Sequence, residues 1–192
     1  MKNGFTIIEV SILFVIFLIV AFLVAPLSLD DTIQAKNTSR WRVVQSDFMN
    51  IFYSINTQKD ENNITFEEAF NEIMKSELKG ETQPYKIVFK NGTYPNNTYR
   101  FNHFKTTFSN ATLAVKMFDE PNGALLGMLM YDVNGTTGPN VWGKDIFGLN
   151  IYKDKFEPFC KNDAISTQKQ DCSKNGTGLC CSNYFLIGGS FD

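Results

Sequence analysis

Histidine occurs once in 192 residues, at His103, and no surplus of positive charge exists: 18 Lys and Arg stand against 20 Asp and Glu. The first shortage removes His-pair metal sites and leaves acid–base catalysis little material. The second removes a bulk basic surface for nucleic acid. Cysteine is missing from the first 159 residues, and no GxSxG, HExxH or P-loop spacing occurs anywhere. Without a nucleophile elbow, a zincin pair or a phosphate cradle, the chain does not read as an enzyme. It does not read as a disordered tail either, because 43% of its residues are hydrophobic and Phe alone occurs 18 times. That much apolar surface requires a core.

The N-terminus carries the longest apolar run. Met1–Gly4 is polar, and from Phe5 the chain reads FTIIEVSILFVIFLIVAFLVAPLSL, with no charge between Val10 and Leu29. Twenty helical residues cover about 30 Å, the hydrocarbon thickness of a bilayer. The run is too long for a cleaved secretory signal, and cutting after Ala25 would leave Pro26 first. Glu9 stands out within it. A carboxylate near the bilayer centre costs a few kcal/mol and must snorkel, take a proton or meet a cation. A cut after Gly4 would supply that cation as the α-amine of Phe5. At an effective dielectric of about 20, such a pair at about 4 Å is worth about 4 kcal/mol before desolvation is subtracted.

The segment Gly4-Phe5-Thr6-Ile7-Ile8-Glu9 resembles the GFTxxE processing site of type IV pilins and of the pseudopilins of type II secretion and competence systems. The resemblance is firm over residues 1 to about 55. It implies cleavage after Gly4 by a membrane prepilin peptidase, N-methylation of Phe5, and a role for Glu9 in joining subunits. Pro26 falls where many members have a helix-kinking proline. The expected divisions are a leader over residues 1–4, a transmembrane and assembly helix over 5–29, and a globular pilin-like domain over 30–192. The implied partners are copies of the chain, related pilins, the peptidase and an inner-membrane assembly platform, with no nucleic acid. The implied location is the bacterial inner membrane as a single-pass precursor, then an extracellular filament or a periplasmic pseudopilus. A type IV pilus-like surface subunit is favoured, with a pseudopilin or a non-polymerising, membrane-anchored binding module as alternatives.

Beyond Pro26 a proline's missing N–H and ring clash predict a break or bend, with Ser28–Asp31 opening a second helical section. Trp41, Val44, Phe48, Ile51, Phe52 and Ile55 recur at helical spacing and predict an amphipathic face. Thr65-Phe66-Glu67-Glu68 predicts a capping box and a short helix to about Leu78. Strands are expected at Tyr85–Phe89, Tyr99–Phe104, Thr112–Phe118, Leu125–Tyr131 and Ile146–Tyr152, separated by Asn-Gly turns. The fold class is therefore α+β: a long N-terminal helix packed on an antiparallel sheet, with a stapled C-terminal loop.

Two constellations complete the reading. Asp132-Val133-Asn134-Gly135, Gly138-Pro139-Asn140 and Gly143-Lys144-Asp145-Ile146-Phe147 resemble a DVNG-GPN-GxDxF segment of some pilin-like proteins. Asp132, Asn134 and Asp145 offer oxygens of the kind Ca²⁺ takes, although an EF-hand series is incomplete and Asx turns account for the same residues. No other cofactor is implied. Cys160, Cys172, Cys180 and Cys181 all lie in the last 33 residues. An even number in an exported chain predicts two disulfides, joining Cys160 to Cys180 or Cys181 and Cys172 to the other, with a zinc site as the competing reading. Seven Asn-x-Ser/Thr sequons begin at Asn37, Asn63, Asn91, Asn96, Asn110, Asn134 and Asn175. Abundant Asn and Thr explain them without glycans.

Overall fold

The computed structural model describes residues 7–75, 78–107, 109–122, 125–153 and 155–190, with the side chains of 24–30 and 119–122 outside the description. Gly4 and Phe5 lie outside the described residues, as does the side chain of Pro26. The chain divides into two compact units, Met1–Lys36 and Asn37–Asp192.

In the first unit the described backbone is helix α1, Ile7–Asn62, which continues into the second unit. The expected restart at Ser28–Asp31 is absent, since the backbone stays helical through Pro26 and Asp31. A proline costs about 3 kcal/mol inside a helix, and turns on both sides of it can carry that loss. Every described side chain from Ile7 to Leu23 is exposed in the single chain. Among the described residues no helix is long and apolar enough to cross a membrane. The described side chains of the apolar run end at Leu23, short of the roughly 20 residues that a span requires.

The second unit holds an antiparallel sheet against the later turns of α1. Its elements are α2 (Phe66–Met74), β1 (Leu78–Thr82), β2 (Phe104–Thr107), β3 (Thr112–Asn122), β4 (Leu125–Asp132), β5 (Ile146–Tyr152), β6 (Phe156–Pro158), α3 (Ile165–Asp171) and α4 (Cys181–Tyr184). Among the described residues the strands form one six-stranded meander in chain order. Thr65 caps α2 as its sequence predicts: Thr65 Oγ1 accepts from the Glu68 N–H, and Glu68 Oε2 accepts from the Thr65 N–H. The helix ends at Met74, earlier than expected, and Gly80 sits in β1.

Side chains alternate across a strand, so a sheet covered on both faces buries consecutive residues. Leu113, Leu129, Tyr131 and Phe147 face α1, packing with Trp41, Phe48, Phe52 and Ile55. Their neighbours Ala114, Met128, Met130 and Ile146 face a second layer with Phe89, Phe101, Phe104, Trp142 and Phe159. The amphipathic stripe on α1 is thus core. Of the expected strand Tyr85–Phe89 only Val88 bridges, to Val141, and of Tyr99–Phe104 only Phe104 is paired, as the first residue of β2; the rest belongs to this second layer, with Asn97–Tyr99 a 3₁₀ turn. Pro84 and Pro95 supply no ladder donors, and aromatic residues there record burial rather than pairing.

Candidate functional site

Glu9, on the exposed early turns of α1, is flanked by exposed Ile8, Val10 and Ile12. Large apolar residues along Ile7–Leu23 range from 42% exposed at Leu18 to 86% at Ile7. Apolar exposure of that extent is uncommon in monomeric soluble proteins, and Glu9 and Ser11 are the polar residues within it. Gly4 and Phe5, where processing is expected, lie outside the described residues, so Glu9 alone of the three is placed.

The second candidate gathers where β4 ends and β5 begins. Asp132 lies near enough to Asp145 to feel its charge, and the Asn134 side chain reaches Asp145. Asp132 is the last residue of β4, and Asp145 immediately precedes β5; both are fully buried. The loop between them turns on Gly135 and Gly143, at φ of +69° and +79°, where a side chain would be strained. A Cβ on Gly135 would also lie 2.2 Å from the Asn110 carbonyl oxygen.

Hydrogen bonds converge on each carboxylate. Asp132 Oδ1 accepts from the Asn134 N–H at 3.2 Å, and Asp132 Oδ2 from the Tyr85 hydroxyl at 2.9 Å. Asp145 accepts from the Asn140 and Val141 N–H groups at 2.8 and 2.7 Å. The Asp132 bond to the Asn134 N–H is an Asx turn, whereas Asp145 reaches back to the backbone four and five residues before it, and together they fix the loop. Burial, followed by the nearby Asp145 charge, nevertheless pushes the Asp132 carboxyl up to about 8. Burial also raises Asp145, and it raises the Tyr85 phenol, with the Asp132 charge adding to the effect.

Two further oxygens of the loop, Asn134 Oδ1 and Asn140 Oδ1, are buried without a hydrogen-bond partner among the described residues. Buried polar atoms are rarely left so. Carboxylate and amide oxygens are hard donors, of the kind that suits Ca²⁺ rather than zinc. Sequence reasoning quoted Asn140 within the motif but gave it no role, and it missed Tyr85, 47 residues upstream, which no local spacing could have revealed.

The cysteines are paired as Cys160–Cys180 and Cys172–Cys181, so the zinc reading falls. Asp163 lies within metal-cluster reach of Cys160 and Cys180, but sulfurs joined to each other are not thiolate ligands. The stapled region is no irregular loop. It contains α3 and α4, and Cys181, Ser182 and Phe185 are wholly buried. Trp41 Nε1 donates to the Ser182 carbonyl at 2.8 Å, and Arg42 donates twice to the Phe185 carbonyl at 3.0 and 2.8 Å. Elsewhere His103 is exposed. Asn37 is buried, its amide donating to the Lys144 carbonyl at 3.3 Å, so that sequon cannot carry a glycan in the folded chain.

Compared with known proteins, the chain matches no family model, no curated protein and no solved structure.

Proposed function

We propose that the chain is a structural subunit of a type IV pilus-like filament, cut after Gly4 and polymerised through its N-terminal helix. One observation carries the reading: an exposed apolar helical surface from Ile7 to Leu23 that bears a carboxylate, Glu9, near its start. Such a surface must be covered. A bilayer covers it in the precursor, completed by the uncharged run to Leu29, and neighbouring helices cover it in a filament. Lipid has no use for a charged Glu9, whereas the Phe5 α-amine released by cleavage would pair with it and set the register between subunits. The GFTxxE resemblance supports the same assignment. On this reading the prepilin peptidase, an inner-membrane platform and further pilins are the partners, and the chain catalyses nothing.

A second reading, as a secretion pseudopilin, draws on the loop between β4 and β5. Asp132, Asn134, Asn140 and Asp145 would hold calcium there, and the ion would neutralise the two buried carboxylates and tighten the loop against β4 and β5.

N-terminal analysis of the chain from its own cell tests the primary reading. A mature start at N-methylated Phe5, with Glu9→Ala lost from filaments while still accumulating in folded, disulfide-bonded form, is the expected result. A chain still beginning at Met1 beside an active prepilin peptidase rules the filament role out.

A further inference from the structure

The aromatic layer over the second face of the sheet leaves a cleft of about 180 Å³. Buried Phe101 and Phe104 line it together with Tyr94, Tyr99, Lys86 and Arg100. Lys86 Nζ lies 5.1 Å from the centroid of the exposed Tyr94 ring. Among the described residues neither Lys86 nor Arg100 takes part in an ion pair. The Tyr85 hydroxyl is turned to Asp132 and so is committed away from a ligand.

We infer that this cleft binds an acidic sugar, a single uronic acid residue of a glycan. Three features select that chemistry. The volume is below the roughly 300–1,000 Å³ of pockets for drug-sized molecules, so it suits one ring. Lys86 covers one face of Tyr94 and Tyr99 packs against Phe89 and Phe159, which leaves the other Tyr94 face for the apolar C–H groups of a sugar and the tyrosine hydroxyls for its O–H groups. The planar Arg100 guanidinium matches a carboxylate with two parallel hydrogen bonds, and Lys86 adds a second positive charge. A nucleic acid strand fits less well: it needs a track of cations and successive stacking platforms, and the chain carries a net charge of −2. The inference is independent of filament assembly, because the cleft lies wholly in the second unit.

Saturation-transfer NMR on the full chain in neutral detergent tests it, with glucuronic acid, glucose and a ten-residue oligothymidylate as probes. Glucuronic acid is expected to bind saturably in the millimolar range, with glucose at least tenfold weaker. Arg100→Ala and Lys86→Ala should each weaken glucuronic acid at least tenfold. Both side chains are exposed, and intact disulfides with an unchanged near-UV spectrum confirm that the variants fold. Equal binding of glucose and glucuronic acid, wild-type binding by Arg100→Ala, or tighter binding of the oligonucleotide would each overturn the assignment.

Discussion

Replacing Asp132 by Asn should make the folded chain more stable above neutral pH, although it removes a fully buried carboxylate that accepts two hydrogen bonds. Burial and the Asp145 charge hold the Asp132 carboxyl at about 8 in the folded chain, against 3.8 for its ordinary value. Between those values the folded chain keeps a proton that the unfolded chain has released. Stability therefore falls as pH rises, by about 1.4 kcal/mol per pH unit. From pH 5 to 7 the loss is about 3 kcal/mol, which at about 2–4 °C per kcal/mol lowers the melting temperature by about 6–12 °C. Asp145 is also raised and acts in the same direction. Asn at position 132 copies the protonated form: its Oδ1 still accepts from the Asn134 N–H, and its amide faces the Tyr85 oxygen. Thermal melts of wild type and Asp132→Asn in a chelator, from pH 5 to 8, provide the measurement. A flat wild-type profile, or an Asn variant with the wild-type slope, would refute the reasoning. Calcium reverses the sign. If the loop holds the ion, adding it at 100 times its dissociation constant should stabilise wild type by about 2.7 kcal/mol and leave Asp132→Asn unmoved.

Trp41→Ala should cost about 3–5 kcal/mol in chemical denaturation, since the indole is fully buried and stacks on Phe147 at 5.1 Å; a loss under 1 kcal/mol would remove it from the core. Thr65→Ala should cost about 1 kcal/mol by breaking the capping box of α2, read from the same curves. Native chain should resist alkylation until reduced, and peptide mapping should link Cys160 to Cys180 and Cys172 to Cys181. Replacing Cys160 and Cys180 together by Ala should cost about 3 kcal/mol, from the entropy of a loop closed at a separation of 20 residues.

What the sequence revealed was whatever depended on short-range chemistry. The cap at Thr65, the stripe from Trp41 to Ile55, and β5 at Ile146–Tyr152 all follow from spacing within a few residues. β1 was hidden because LKGET has no alternation and exposes its three middle residues. β6 was hidden because it is three residues long and ends in proline. The stretches around Tyr85 and Tyr99 misled for the opposite reason: they are as aromatic as strands because they cover a face of the sheet, and periodicity cannot separate covering from pairing. At the candidate site, Asp132, Asn134 and Asp145 were legible because they are near in sequence. Tyr85, which supplies the longest-range hydrogen bond to that cluster, was not.

The place of the disulfides gives them a different role from that of a staple on an exposed loop. Cys172–Cys181 belongs to the same core as Trp41 and Phe147, and Ser182, next to Cys181, accepts the Trp41 indole through its carbonyl and the Gly148 N–H through its hydroxyl. Phe185 packs edge-on against Phe147, and its carbonyl receives both Arg42 bonds. The segment from Cys180 to Phe185 therefore joins α1 to the inner strand β5 by side-chain and backbone links, and is itself held by both crosslinks. A short helix such as α4 is marginal by itself, and crosslinks at its first residue and at the residue before it restrict the unfolded chain most where little regular structure holds it. Reduction should thus loosen the attachment of the later turns of α1 to the sheet before it disturbs the pairing of β3, β4 and β5. The C-terminal crosslinks, by this argument, hold the helix that the proposed filament would pull on.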